Sequence, residues 1–435
     1  MKSEDNRNQR MISRRRALSN AIAAGAIVGV GVVAGTGGYL AGSSRGVATT
    51  TAVRERTVTN VQTSIVTASQ LPREIKIGVI LPLSGQLGPI GSRMLNGAKL
   101  AEKLINRWGG VSGSPVKIVA EDSQALADRG LEAVKKLVEV DGVRVIAGPA
   151  TSAELLTMSD YVISRKVPII SMSATAAAIS RVGGRYIFRV VPSDAVQTRA
   201  LAELIRSQDI RRLATFVVSN DYGIGIEEGV KSILGNTVVI SIRYDPAKGD
   251  YREELSRIKN ANVDGILWAT WVESGIVALK QALDIGLTNV RSFGGEGMRD
   301  TAFLADPKAT EFLLTTKMMG TSPSAPAETL ASVSFKEEYR KEFNEAPGLF
   351  ADTTYDSTMV AALAVSKAGV YDGEKIAAQV RAAAHHYIGP SGHKQMNETG
   401  DAALATYEIW RIVKKDGQNT IERIGSWDSA TGLKL

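Results

Sequence analysis

Cysteine is missing from all 435 residues. That absence excludes disulfides, thiolate catalysis, Cys-ligated zinc and iron–sulfur clusters. It also excludes a lipid-modified cysteine as a membrane attachment. Histidine is nearly missing: the only 3 are His385, His386 and His393, in one late segment. On a helix the neighbours His385 and His386 would point in divergent directions, which argues against a metal site. There is no Gly-x-Ser-x-Gly elbow, His-Glu-x-x-His helix or P-loop, and Gly29, Gly31 and Gly35 lack dinucleotide-binding spacing. These absences point away from an enzyme, and no metal or cofactor is expected.

A sustained excess of one charge sign is lacking as well. The net charge of +7 concentrates near the start of the chain. Lys2, Arg7, Arg10, Arg14, Arg15, Arg16, Arg45, Arg54 and Arg56 stand there against Glu4, Asp5 and Glu55, leaving the remainder close to neutral. A basic groove that tracks phosphates therefore has little support, and no nucleic-acid partner is expected. What is present is a 44% hydrophobic, 22% charged composition, that of a globular protein. The length suits about two or three domains.

Ser13-Arg14-Arg15-Arg16-Ala17-Leu18 precedes an uncharged stretch from Ala17 to Ser44 and resembles a twin-arginine export signal. Its apolar part, Ala21 to Ala41, would span about 30 Å as a helix, enough to cross a hydrocarbon core. The arginines place their flank in the cytoplasm and the rest of the chain outside. Residues 1–45 thus read as an export signal or membrane anchor. No Ala-x-Ala site follows closely, which favours retention over cleavage. Residues 46–72, rich in Thr, Val and Ser, read as a linker. The sequon Asn397-Glu398-Thr399 agrees with an exterior location but adds little.

From Glu74 onward, short β-branched runs alternate with amphipathic segments. Strands are predicted at 75–81, 116–120, 143–147 and 168–172, and helices at about 92–106, 127–140 and 153–165. In the second helix Leu131, Val134, Leu137 and Val138 make one apolar stripe. After Arg189-Val190-Val191-Pro192-Ser193 the alternation restarts, with strands at 213–218, 238–243, 265–269 and 290–293. Two consecutive βα series, each with about five strands, predict an α/β chain of two doubly wound parallel-sheet lobes. Ligands of such sheets bind beyond the C-terminal strand ends.

Four loops at those ends carry polar chemistry. Thr151-Ser152-Ala153-Glu154 opens a helix with a Thr-x-x-Glu capping box, and its free N–H groups suit a carboxylate; a plain helix cap would explain it too. Ser173-Ala174-Thr175 follows the strand at 168–172 and offers small residues with hydroxyls. Tyr222, in Asp221-Tyr222-Gly223, could cover a ligand or simply pack over a glycine turn. Glu296, alone among Gly294, Gly295 and Gly297, reads as an accessible acid that could pair with an ammonium or lie solvated. Trp271 would supply an aromatic wall or a core ring. Donors at a helix start suit a carboxylate and a lone acid suits an ammonium; a zwitterionic amino acid needs both.

The order of these motifs is similar to that of a known family. From about Ile75 to Trp410 the chain resembles the leucine/isoleucine/valine-binding proteins, the type I periplasmic-binding receptors of branched-chain amino-acid ABC transporters. The resemblance is carried by IKIGVILPLSGQLGPIG at 75–91, NGAKLAEKLIN at 96–106, VRVIAGPATSAELL at 143–156, VPIISMSAT at 167–175, NDYGIG at 220–225, FGGEG at 293–297 and Tyr355-Asp356. It implies that Ser152 holds a ligand carboxylate, that Ser173, Ala174 and Thr175 contribute backbone and hydroxyl groups, and that Glu296 meets the ammonium. Tyr222 and Trp271 would be the second-lobe aromatics. Ile90 stands where relatives often carry an aromatic, which leaves ligand size open.

By the same resemblance, lobe one combines residues 73–192 with 321–404 and lobe two combines 193–320 with 405–435, joined by a three-strand hinge. The function implied is an extracytoplasmic receptor, not an enzyme and typically monomeric. It would bind a branched-chain or related apolar amino acid between the lobes and deliver it to the permease and ATPase subunits of an importer. The alternative is a sensory ligand-binding protein for amides or other small amino-acid-like solutes.

Overall fold

The structure, a computed structural model, describes residues 71–323, 329–403 and 406–435. The expected export segment (1–45) and nearly all of the expected linker (46–72) lie outside the described residues. No helix among the described residues is long and apolar enough to cross a membrane.

The first sheet explains itself from strand periodicity. Strand β1, Ile75–Leu81, sends Ile75, Ile77, Val79 and Leu81 into one apolar cluster and Ile80 into another, so each face of the strand feeds a separate core layer. One layer is closed by the helices Gly88–Arg107, Ala351–Ala368 and Gly373–His385. The other is closed by Ala127–Glu139 and Ser152–Arg165. With β2 (Val116–Asp122), β3 (Ile146–Ala147), β4 (Ile169–Ser171) and β5 (Ile187–Arg189), the all-parallel order is β2-β1-β3-β4-β5. The helix predicted from about residue 92 begins at Gly88, with Pro89 in its first turn, where a missing N–H costs nothing.

After Val190–Ser193 the chain leaves this lobe for the helix Asp194–Arg206. The second lobe holds β6 (Leu213–Val218), β7 (Val238–Tyr244), β8 (Gly265–Ala269), β9 (Arg291–Gly294) and β10 (Met319–Pro323), all mutually parallel. A single core of Phe216, Trp268, Phe293 and Phe312 packs around them. The chain then returns to the first lobe for the helices Leu330–Phe343, Ala351–Ala368 and Gly373–His385. A short hairpin follows, β11 (Ile388–Gly389) with β12 (Gly392–His393), before the last crossing.

One feature was not anticipated. The chain ends in three antiparallel strands, β13 (Thr406–Lys415), β14 (Gln418–Asp428) and β15 (Gly432–Lys434), added beside β10. The second sheet is therefore eight-stranded and mixed, ordered β15-β14-β13-β10-β9-β8-β6-β7. A hairpin at a sheet edge needs no crossover helix, so nothing in the βα alternation foretells it.

Candidate functional site

The loops after β3 and β4 form one wall. Thr151 caps the helix Ser152–Arg165: its Oγ1 accepts the Glu154 N–H at 3.4 Å, and the Thr151 N–H donates to Glu154 Oε2 at 2.9 Å. Because Thr151 does the capping, the Ser152 hydroxyl is released to the next loop, where it accepts the Ala176 N–H at 3.1 Å. Ser171 Oγ donates to Pro149 O at 2.8 Å and accepts the Ala174 N–H at 3.0 Å, while Ser173 Oγ donates to Ala150 O at 2.7 Å. The two loops are thereby tied into one small-residue surface at the positive end of a helix.

The opposite wall comes from the second lobe. Asn220 caps the helix Asp221–Leu234, and Tyr222 in its first turn stacks on Trp271 with ring centroids 5.3 Å apart and 12° between planes. Glu296 follows β9. It was expected to be an accessible loop acid, but it is only 3% exposed. The neighbouring glycines do not expose the carboxylate; they admit the tyrosine. A Cβ on Gly295 or Gly297 would sit 3.1 or 3.2 Å from the Tyr222 hydroxyl.

The walls enclose a cavity of about 50 Å³ bordered by Ile90, Ser152, Ser173, Tyr222, Trp271 and Glu296. Six of the eight predicted residues thus meet at one place. Ala174 and Thr175 do not line it: the Ala174 carbonyl accepts from Arg189 Nη1 at 3.2 Å, and Thr175 is buried beneath the wall. Two bonds join the lobes nearby: Gln86 Nε2 to Pro246 O at 3.1 Å and Arg93 Nη2 to Asp300 Oδ2 at 3.4 Å. The cavity is smaller than a branched amino acid.

Beneath Glu296 lies a group of residues that sequence reasoning missed. Gln197 Nε2 donates to Glu296 Oε2 at 2.5 Å and reaches Thr321 Oγ1 at 3.2 Å. Asp194 is 1% exposed, with the Thr175 hydroxyl as a hydrogen-bonding neighbour. Gln197 Oε1 and Tyr407 OH are buried there without partners. Burial pushes the Asp194 carboxyl well above the usual range; the Glu296 charge adds to this and Arg189 opposes it. Burial also raises Glu296, against hydrogen bonding from its own backbone, Gln197 and Tyr222. Two acids buried in one floor without an ion-pair partner are costly.

The missed residues carried weak signals. Asp194 follows the helix cap Ser193, where an acid reads as a complement to the helix dipole. Tyr407 sits on a strand that was not predicted. Phe350, which also borders the cavity, holds a left-handed backbone (φ 62°) before the helix Ala351–Ala368, a conformation uncommon for a bulky residue. The histidines behave differently from expectation. His385 ends its helix and His386 leaves it, so their rings meet edge to face at 5.1 Å instead of diverging. Among the described residues, no group of three or more His, Asp or Glu is placed to hold a metal ion.

Comparison with known proteins gives a consistent picture. The family described as periplasmic binding protein matches residues 74–418. The leucine-, isoleucine-, valine-, threonine- and alanine-binding protein of Pseudomonas aeruginosa is 28% identical over 77% of this chain and 89% of its own. The branched-chain amino acid transporter substrate binding protein LivJ from Streptococcus pneumoniae, in complex with isoleucine, superposes with a TM-score of 0.71 at 22% identity, covering 81% of this chain and 99% of its own. An ABC-transporter solute binding protein from Rhodopseudomonas palustris BisB5, in complex with 3,4-dihydroxybenzoic acid, gives a TM-score of 0.71 at 24% identity, covering 83% and 99%.

Proposed function

This chain belongs to the periplasmic binding protein family, and we propose that it is the solute receptor of an ABC importer, taking a branched-chain or related apolar amino acid. The family places it outside the cytoplasmic membrane. The proposal adds that residues 1–45 hold it there and that 46–72 space it from the surface.

One observation carries the ligand class. The cavity has a helix N-terminus with the Ser152 hydroxyl on one side and the buried acid Glu296 on the other. A carboxylate suits the first and an ammonium the second. Ile90, Leu87, Met94 and Leu349 supply apolar surface between them for a hydrocarbon side chain. Parting of the lobes admits the solute, and contacts made only in the closed form hold them together.

A small aromatic acid is the second reading. The stacked Tyr222–Trp271 pair favours it, and so does the bound acid named for the Rhodopseudomonas protein. Calorimetry over a panel of amino acids, amides and benzoates separates the two. Amino-acid binding weakened by Glu296→Gln is expected; benzoate binding indifferent to that change would discard the amine reading. Loss of affinity for Ser152→Ala should be smaller, about 1 kcal/mol.

A further inference from the structure

We propose that Gln197 is the residue that positions Glu296 for an ammonium group, holding the carboxylate in place without cancelling its charge. This role rests on the amine reading above and deepens it, because it names what turns a buried acid into an amine subsite.

Gln197 is buried near the start of the helix Asp194–Arg206. Its Nε2 carries two hydrogens and finds two partners. One is Glu296 Oε2 at 2.5 Å; the other is Thr321 on β10, with Oγ1 at 3.2 Å and the carbonyl oxygen at 3.4 Å. The carboxylate settles which end of the amide faces it, since nitrogen donates to an acid and oxygen would repel it. That choice leaves Oε1 buried without a partner. The fold thus accepts an unpaired oxygen to keep the nitrogen on the acid, which plain packing gives no reason to do. Gly295 makes the room: a Cβ there would sit 3.3 Å from Gln197 Nε2 and 3.1 Å from the Tyr222 hydroxyl.

The donors around Glu296 are neutral and come from the second lobe. Besides Gln197, the carboxylate is hydrogen-bonded by its own backbone and by Tyr222. Amide, backbone N–H and phenol orient the acid, and none supplies a counter-charge. A lysine or arginine at position 197 would hold it as firmly but would also neutralise it, leaving an arriving ammonium little to gain. An apolar side chain of the same length would keep the charge and let the carboxylate turn. Glutamine fixes the direction and leaves the charge. Because Thr321 anchors the amide to β10, the placement of the acid is set within one lobe, independently of the wall that carries Ser152, and is ready for the ligand.

Calorimetry on the full chain tests this, with L-leucine and with 4-methylpentanoate, the same skeleton without the amine. Gln197→Met should weaken L-leucine about tenfold and leave 4-methylpentanoate within about twofold of wild type; a merely structural role would weaken both. In a Glu296→Gln background the same change should add less than about twofold to the loss for L-leucine, since its effect runs through that acid. Wild-type affinity for L-leucine in Gln197→Met, or an equal loss for the two ligands, would overturn the role of Gln197 and leave the amine reading standing. Should Gln197→Met fail to fold by circular dichroism, Thr321→Val keeps the shape and removes Oγ1. It should show a smaller loss with the same selectivity, and no selective loss there would overturn the role. The amine reading fails on different measurements, made without any Gln197 variant. Wild-type affinity for L-leucine in Glu296→Gln, or a wild type that binds no amine-bearing ligand, rejects that reading and the role of Gln197 with it.

Discussion

Two of the buried carboxylate centres among the described residues are solved in opposite ways. In the first lobe Asp356 accepts from the Tyr387 hydroxyl at 2.7 Å, from the Ser391 N–H at 3.1 Å and from the Ser391 hydroxyl, with Lys394 Nζ 3.6 Å away. Its hydrogen bonds and its counter-charge come from within the chain, although burial still outweighs them. Asp194, buried as deeply, has no ion-pair partner, and burial and the Glu296 charge push it well above the usual carboxylate range. A paired buried charge ties elements together, here the helix Ala351–Ala368 to the hairpin β11–β12 and, through Lys394, to the hinge residue Val190 at 3.4 Å. An unpaired one marks where the fold forgoes stability for something brought from outside.

Mutation should separate the two centres. Asp356→Ala leaves Lys394, 4% exposed, without its counter-charge and should cost about 3–5 kcal/mol of folding stability, read by chemical denaturation. Glu296→Gln should cost about 2–5 kcal/mol in ligand affinity by calorimetry, with little loss of stability. If both substitutions unfold the protein equally, the contrast fails.

The pH dependence of stability sharpens the comparison further. Burial raises Asp356 from 3.8 to about 6 in the folded protein. The stability this group contributes is therefore full below about 3.8 and lost as pH climbs through about 6, a change of roughly 2–4 kcal/mol. Denaturation of wild type against Asp356→Asn across that window should show wild type losing ground as pH rises.

Two smaller effects follow. Thr151→Ala removes the cap of the helix Ser152–Arg165 and should cost about 1 kcal/mol of stability, together with affinity, since it disturbs the wall that carries Ser152. Arg93→Ala removes a partly exposed bond between the lobes and should change stability or affinity by no more than about 1 kcal/mol. A large effect there would mean that closure depends on the rim more than on the floor.

Much of the first wall was legible because its information is local. A capping box is four consecutive residues, and Ser152 and Glu154 fall within one. Small residues after β4 and glycines around Glu296 are local patterns too, as is the alternation of apolar strands and striped helices that gives parallel sheets. The floor was not legible. Asp194 reads as an ordinary first-turn acid, Tyr407 as a strand residue and Gln197 as nothing in particular. Their meaning depends on where three chain crossings bring them.

The chain's own order of residues therefore determined the βα units, the absence of thiol chemistry and the strand-end loops that carry polar groups, since each follows from periodicity or composition within a short window. Tertiary structure alone decided that Glu296 is buried, that Thr175 lies behind the wall, and that Asp194 and Tyr407 join the floor. Burial and charge neutralisation depend on everything within a few ångströms, and those neighbours here come from segments more than two hundred positions apart.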